Sequence, residues 1–179
     1  MMHRILPLWI VAACLGMASA VATADTFMLA PGVAGDATEK AHAGWVRISD
    51  LDWAVTAMTS YTHGGGVSVG KPNPSAIKLI LASGPWSTEF LRKITLGQAF
   101  TQIVIVHVAS DGRPSYRATL DGLFITRYGI GSTAKTPLPQ DEVEAVFKTV
   151  KMEFYIPYGA DGLVKSANLT WNTTTGVVN

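Results

Sequence analysis

The chain has 179 residues, of which 48% are hydrophobic and 15% charged, and its formal net charge is +1. A chain of this length fits one globular domain with a short appendage, and its apolar fraction excludes a disordered acidic protein. Its near neutrality excludes a strong overall attraction to nucleic acid or to anionic membranes, so neither is expected as a partner.

The first 24 residues have the pattern of a secretory signal peptide. Arg4 precedes an apolar run over residues 5–16, and small residues follow at positions 18–24. This arrangement is typical of a cleaved signal rather than of a membrane-spanning helix. We predict cleavage after Ala24, with Ala20 as the alternative, so that residues 1–24 are a signal peptide and residues 25–179 form one domain. The protein is then exported to the periplasm or the extracellular space, and no stable membrane span is expected.

The single cysteine lies inside this signal. Cys14 follows Val11, Ala12 and Ala13, a sequence that also resembles a bacterial lipoprotein cleavage site. Because the apolar run continues past Cys14, we favour the secretory signal over lipid attachment. The exported chain then contains no cysteine, which excludes disulfide bonds and thiol chemistry.

Alternating and β-branched segments beyond the signal indicate a strand-rich fold. The segments predicted as strands are residues 26–30, 45–58, 75–82, 101–109, 116–128, 143–156 and 163–171. The segments predicted as loops are residues 31–44, 63–74 and 129–140. Trp53, Ile103 and Ile105 are expected to be buried. Since closure removes exposed strand edges, the pattern favours a closed or sandwiched β fold.

One helix is predicted over residues 87–96. Ser87 is expected to cap its N-terminus and Gly97 to end it. Phe90 and Ile94 form an apolar stripe that should lie against a sheet. A helix this short needs such packing to persist.

Residues 66–70 match the G-x-S-x-G pattern of a hydrolase nucleophile elbow, with Ser68 as the nucleophile. That motif requires a helix directly after the serine, and Pro72 and Pro74 oppose one. The last histidine of the chain, His107, lies inside an apolar segment. We therefore predict a loop here and no catalytic residue.

The same stretch comes close to a phosphate-binding loop. Gly65, Gly70 and Lys71 have the required spacing, but Pro72 stands where a metal-binding serine or threonine is needed. Neither a nucleotide nor another cofactor is predicted.

The remaining titratable residues form no recognisable metal or acid–base motif. His42, His63 and His107 are scattered through the sequence, without the short spacings of zinc ligands. Asp50 and Asp52 share one strand face, which is more typical of a solvated face than of paired catalytic carboxylates. The residues alone predict a secreted β-rich domain that is not an enzyme and holds no metal.

Several ordered segments resemble the haemolysin-coregulated protein (Hcp) family, the tube subunits of the bacterial type VI secretion system. Residues 32–45 are similar to the family's G-E-S-x-D-x-x-H-x-x-W/I segment, and a strand with Trp53 follows. A Gly-rich stretch then ends at the pair Gly70 and Lys71. The predicted helix, an Ala-Asp-Gly run at 160–162 and a Trp-Asn pair at 171–172 occur in the family's order. The resemblance covers residues 26–172.

The resemblance implies a compact two-sheet β-barrel with one short flanking α-helix. It also implies a non-catalytic subunit of hexameric rings that stack into a tube, whose lumen carries or chaperones effectors and whose end meets a spike protein. Two departures stand out. Family members are assembled in the cytoplasm without a cleaved signal, and residues 36–39 read Asp-Ala-Thr-Glu where Glu-Ser is usual.

The loop over residues 31–44 is long for a link between neighbouring strands. It offers charged groups with no apparent apolar anchor, a combination that orients a partner more than it adds affinity. By the resemblance, the residues expected to govern ring stacking are Asp36, Thr38, Glu39, Lys40 and His42.

Two alternatives remain from the sequence. The first is a monomeric secreted β-barrel that binds a glycan, a peptide or a surface through exposed aromatic side chains, with Trp86, Tyr61 and Tyr158 as candidates. The other alternative is a small hydrolase using Ser68.

Overall fold

The computed structural model describes residues 23–62, 65–132, 138–157 and 163–179. Within these residues the chain forms thirteen strands and one helix. The elements are β1 Asp25–Leu29, β2 Val46–Ile48, β3 Asp50–Asp52, β4 Val55–Thr56, β5 Thr59–Thr62, β6 Gly66–Val69, β7 Asn73–Pro74, β8 Ile77–Ala82, α1 Ser87–Leu96, β9 Phe100–Val108, β10 Pro114–Gly131, β11 Gln140–Val146, β12 Thr149–Pro157 and β13 Leu163–Asn172. All but two residues of the predicted signal peptide lie outside the described part of the chain.

A nine-stranded antiparallel sheet carries most of the structure. Its main strand order is β2-β1-β9-β10-β11-β8-β3, and β12 joins it by pairing with β10 and β13. The 18-residue strand β10 connects the two halves. Its first part pairs with β9 and β12, and its second part, from Phe124, pairs with β11. Gly122 separates these parts with a φ of 62°, a left-handed conformation that favours glycine.

The two ends of this strand order are neighbours in the sequence. β2 and β3 are separated only by Ser49, whose backbone N–H donates to the carbonyl oxygen of Ile80 at 2.7 Å. The ladder pairing itself does not close, so the predicted β-barrel is not confirmed. The prediction of a mainly β fold with one short helix is confirmed.

The core lies between the facing surfaces of the curved sheet. Ile103 and Ile105 are buried as predicted, and Trp53 is half-buried and packs against the core. Helix α1 covers the core through Phe90, whose ring meets that of Phe100 edge-on at 6.0 Å. Burying aromatic and branched side chains in this way is the main stabilising term for the fold.

Helix α1 has the predicted bounds, but its N-terminus is capped differently from the prediction. The N-cap residue is Trp86, and it makes no side-chain capping bond. The prediction that Ser87 caps the helix is wrong, because Ser87 is the first helical residue and its hydroxyl accepts the Gly84 N–H and donates to Asp141. Gly97 ends the helix in a left-handed conformation, as predicted.

Three predicted segments differ from the structure. The predicted strand 45–58 is divided into β2, β3 and β4, and the predicted strand 143–156 is divided into β11 and β12. The second division occurs where Phe147 turns into the core and the Lys148 N–H donates to the Asp121 carbonyl oxygen. The predicted loop 63–74 contains β6 and β7.

In the part of the chain that is described, no helix is both long enough and apolar enough to cross a bilayer.

Candidate assembly surfaces

The loop over residues 31–44 is folded back on itself by backbone hydrogen bonds. The Gly35 N–H donates to the Gly44 carbonyl at 2.8 Å, and the Ala37 N–H donates to the Trp45 carbonyl at 2.9 Å. A Cβ atom on Gly35 would lie 2.1 Å from the Trp45 backbone, so only glycine fits at this crossing. The loop is therefore an ordered structure rather than a slack connection.

The loop is also anchored by apolar contacts, contrary to the expectation from its composition. Ala37 is buried in a small cluster on the outer face of the sheet with Phe27 and with side chains of β9. The His42 ring stacks on Phe27 with centroids 4.6 Å apart and planes 4° apart, and it meets Trp45 edge-on at 5.0 Å. The sequence does not reveal this anchor because the cluster combines Phe27, on the strand just before the loop, with side chains of the distant strand β9.

Arg47 organises the acidic residues of the loop. Its guanidinium forms ion pairs with Glu39 and, at 3.4 Å, with Asp25, while its backbone N–H donates to Asp36 at 3.3 Å. Hydrogen bonding by its own backbone N–H, followed by the charge and hydrogen bond of Arg47, holds the pKa of Glu39 below its ordinary value. Sequence reasoning missed Arg47, although its position on a strand beside two acidic segments was a usable signal.

The structure thus separates the predicted stacking residues into two groups. Asp36, Glu39 and His42 are held to Arg47 or Phe27, which fixes the loop to the sheet. Thr38 and Lys40 are exposed. These two side chains are the ones that a neighbouring molecule can reach without breaking a contact within the loop.

Residues 54–75 form a second surface, which we call the arm. β4 pairs with β7 at its base and β5 pairs with β6 farther out. The base is closed by the Ala54 N–H, which donates to the Ser75 hydroxyl at 3.1 Å, and by the Ser75 N–H, which donates to the Ala54 carbonyl. Neither ladder pairs with the large sheet.

The arm exposes apolar side chains. Every side chain described between residues 54 and 73 is exposed. Met58 is 87% exposed, Val69 66% and Val67 61%. Exposed apolar groups that cluster on one segment are typical of an interaction surface.

The two sequence motifs of this region do not have the backbone that their chemistry requires. Ser68 lies within the antiparallel strand β6, and its hydroxyl is 2.6 Å from that of Ser60 on the paired strand. A nucleophile elbow requires a sharp turn from a strand into a helix, and a phosphate-binding loop also leads into a helix. Here the chain continues from β6 into β7.

The structure describes two of the three aromatic residues that were proposed for a binding module. The expectation that Trp86 is exposed is wrong, because its side chain is buried and its indole N–H donates to the Ala82 carbonyl at 3.0 Å. Tyr61 is a residue of β5, and Tyr158 lies outside the described residues.

The remaining candidates for metal or acid–base chemistry are dispersed. His107 contacts Thr26 and Tyr116, His42 stacks on Phe27, and His63 lies outside the described residues. Asp50 and Asp52 are both exposed on β3. Among the described residues, no group of three potential metal ligands comes together.

Comparison with known families gives a match over most of the domain. The model of the family described as "Type VI secretion system effector, Hcp" matches residues 27–154, which include both the loop and the arm. No curated protein gives a sequence match to the chain.

Several solved structures of type VI secretion system proteins have a similar fold. A structure described as a type six secretion system protein is similar with a TM-score of 0.79 at 18% identity, covering 87% of this chain and 99% of that one. Hcp1 from Salmonella typhimurium has a TM-score of 0.71 at 14% identity, with 88% and 99% covered. A type VI secretion system effector from Yersinia pestis has a TM-score of 0.67 at 15% identity, with 83% and 99% covered. At these identities the likeness establishes the fold.

Proposed function

Because the chain belongs to the Hcp family of type VI secretion system proteins, we propose that it is a non-catalytic structural subunit that assembles into hexameric rings. The rings stack into a tube whose lumen carries or chaperones effectors, and the end of the tube meets a spike protein. The observation that carries this proposal is the family match over residues 27–154, together with a fold shared along nearly the whole length of solved relatives.

The arm supports ring formation through a head-to-tail contact. An interface in which one surface of a subunit meets a different surface of the next closes into a ring when the rotation allows it. The arm is such a one-sided surface, since Met58, Val67 and Val69 project from a ladder that is separate from the main sheet. Burying these side chains against a neighbour gives the hydrophobic contribution that the free chain lacks.

The loop over residues 31–44 supports a separate role in stacking. Its base is fixed to the sheet through Ala37 and His42, while Thr38 and Lys40 are exposed. A rigid loop with an exposed charge orients a neighbouring ring at little entropic cost but adds little affinity. In this proposal the arm closes the ring and Asp36, Thr38, Glu39, Lys40 and His42 form the stacking loop.

The proposal includes export through a cleaved signal peptide. β1 begins at Asp25, the residue that follows the favoured cleavage site, and it pairs at once with β9. Cleavage after Ala24 therefore leaves every strand of the domain complete. The protein then acts in the periplasm or outside the cell.

The test of the proposed function is the mass and shape of the purified protein. Light scattering after size-exclusion chromatography should give six times the subunit mass, and negative-stain microscopy should show rings with a central opening. A protein that stays monomeric at high concentration contradicts the proposal and favours a secreted binding module.

A further inference from the structure

A groove lies between the base of the arm and the last two long strands of the domain. It has a volume of about 540 Å3, which is in the range of small-molecule sites. Its lining combines the arm base, β12, β13 and the C-terminal turn, with Trp53, Val55, Lys71, Met152, Leu169 and Trp171 as the principal side chains.

The walls of this groove are apolar. Trp171 is buried at its floor, Trp53 is half-buried, and the paired residues Met152 and Leu169 lie beside each other on β12 and β13. A smaller cavity of about 180 Å3 also contacts Trp53 and Met152 and continues toward the core side of the sheet. Apolar surface of this extent favours a ligand with a hydrocarbon part.

One charged group in the groove has no counterpart among the described residues. Lys71 carries the one charge on the described lining, and its stem lies against Gly176, 3.6 Å from where a Cβ atom would be. No ion pair of Lys71 occurs within the ranges that the structure describes. An ammonium group without an ion pair beside apolar walls favours a ligand that carries a negative charge next to its apolar part.

We propose that this groove is a binding site for a monocarboxylate with a linear apolar tail, the chemical class of medium-chain fatty acids. The carboxylate is the group that brings both a negative charge and acceptor oxygens to the Lys71 ammonium. The tail lies along Met152, Leu169 and Trp171. This site goes beyond the proposed tube function and does not depend on ring formation.

A fatty carboxylate fits the groove better than the arm of a second subunit does. Residues 54–75 contain no aspartate or glutamate, so another arm brings apolar side chains but no anion for Lys71. The positive charge of Lys71 therefore favours the fatty carboxylate over the arm of a second subunit as the occupant of the groove.

The test compares ligands that differ only in the head group. Decanoate, decanol and decylammonium are titrated into the purified full chain below their micelle concentrations, with tryptophan fluorescence and calorimetry as readouts. We expect decanoate to bind about fivefold more tightly than decanol and decylammonium to bind most weakly. Each methylene removed from the tail should weaken binding roughly three- to fourfold.

Variants then test the role of Lys71. Lys71→Gln should bring the affinity for decanoate down to that for decanol and leave decanol binding unchanged, whereas Lys78→Gln, an exposed lysine on β8, is the matched control and should change neither.

Three outcomes would overturn the proposal. The first is equal binding of decanoate and decylammonium, and the second is a Lys71→Gln variant with unchanged affinity for decanoate. The third is absence of binding by all three ligands while Leu169→Asp changes the subunit mass measured by light scattering, which assigns the groove to a contact between subunits. Rings can form or fail to form in each case, so the ligand site and the tube function are tested separately.

Discussion

Asp141 is the one buried charged residue of the described chain, with 0% of its surface exposed. The hydroxyls of Ser83 and Ser87 donate to its two carboxylate oxygens at 2.5 Å each. Burial, and then the charge of Asp141, raise the pKa of the neighbouring Tyr128. This group of side chains ties the start of α1 to β11 and to the end of β8, where sequence analysis expected only a helix cap.

We expect Asp141→Ala to lower the free energy of unfolding by about 3 kcal/mol, because two hydroxyls lose their acceptor inside the protein. Asp141→Asn keeps one acceptor and should cost less. Asp52→Ala, at an exposed position on β3, is the control and should change stability by less than about 0.5 kcal/mol. Chemical denaturation measures all three, and equal stability of Asp141→Ala and the parent protein would contradict the role of this carboxylate.

Glu39 makes the stability of the loop depend on pH. Its pKa is lowered in the folded protein, so its contribution is present above the ordinary pKa of 4.5 and is lost as the pH falls through the lowered value. We expect the melting temperature of the parent protein to fall more between pH 6 and pH 3 than that of Glu39→Gln. Lys40→Gln should follow the parent curve, and identical curves for parent and Glu39→Gln would show that the Arg47 pair adds no stability.

At the scale of elements, the arm is separable from the rest of the fold. Thr56 and Asn73 are paired residues at its base, so a two-residue Asn-Gly turn can replace residues 57–72 with the geometry of a tight hairpin. Because the described side chains removed are exposed, we expect the melting temperature to change by less than about 3 °C.

Ring assembly should respond differently to the same deletion. The shortened protein is expected to remain monomeric by light scattering. The double variant Val67→Thr and Val69→Thr keeps the arm length but makes two exposed apolar positions polar, and it should weaken the rings. Intact rings in both variants would remove the arm from the proposed interface.

The sequence predicted the regular elements best where one local pattern decides the outcome. The bounds of β9 and α1 were predicted to within a residue. The continuous apolar run of β9 favours a strand, and the short amphipathic stretch that ends at Gly97 favours a helix. The division at Phe147 was not predictable, because that side chain packs against Trp53 and its carbonyl oxygen accepts a hydrogen bond from the hydroxyl of the distant Thr173. The outer part of the arm was predicted as a loop because its glycines and prolines are stronger turn signals than its short alternating segments are strand signals.

The candidate surfaces were predictable only in part. The loop over residues 31–44 was identified by its length and by family resemblance, and the structure has no helix or strand within it. Its attachment to Phe27 and Arg47 depends on β1 pairing with both β2 and β9, which no local pattern encodes. The groove with Trp53 and Lys71 is built from four separate segments, so its residues carry no common signal in the sequence.

At the scale of the assembly, exposed residues of the stacking loop should affect tube length without affecting rings. The double variant Thr38→Ala and Lys40→Ala removes two exposed side chains and leaves the contacts of Arg47 and His42 in place. We expect hexameric rings of normal mass and fewer or shorter tubes in electron micrographs. Lys78→Ala is the control for a lost exposed charge. Loss of rings in the double variant would assign the loop to ring closure, and unchanged tubes would contradict the stacking role.

The pairing of β1 with β9 also affects when the sheet can form during synthesis of the chain. Thr26 and His107, which contact each other in the finished sheet, are 81 residues apart in the sequence. At the usual pace of synthesis of about 5–20 residues per second, roughly 4–16 s pass before the first strand meets its central partner. During that interval the segment directly behind the predicted signal can pair only with β2, and its edge toward β9 stays unpaired. In the export route proposed above, this interval gives an export machinery time to engage the nascent chain before the sheet is complete.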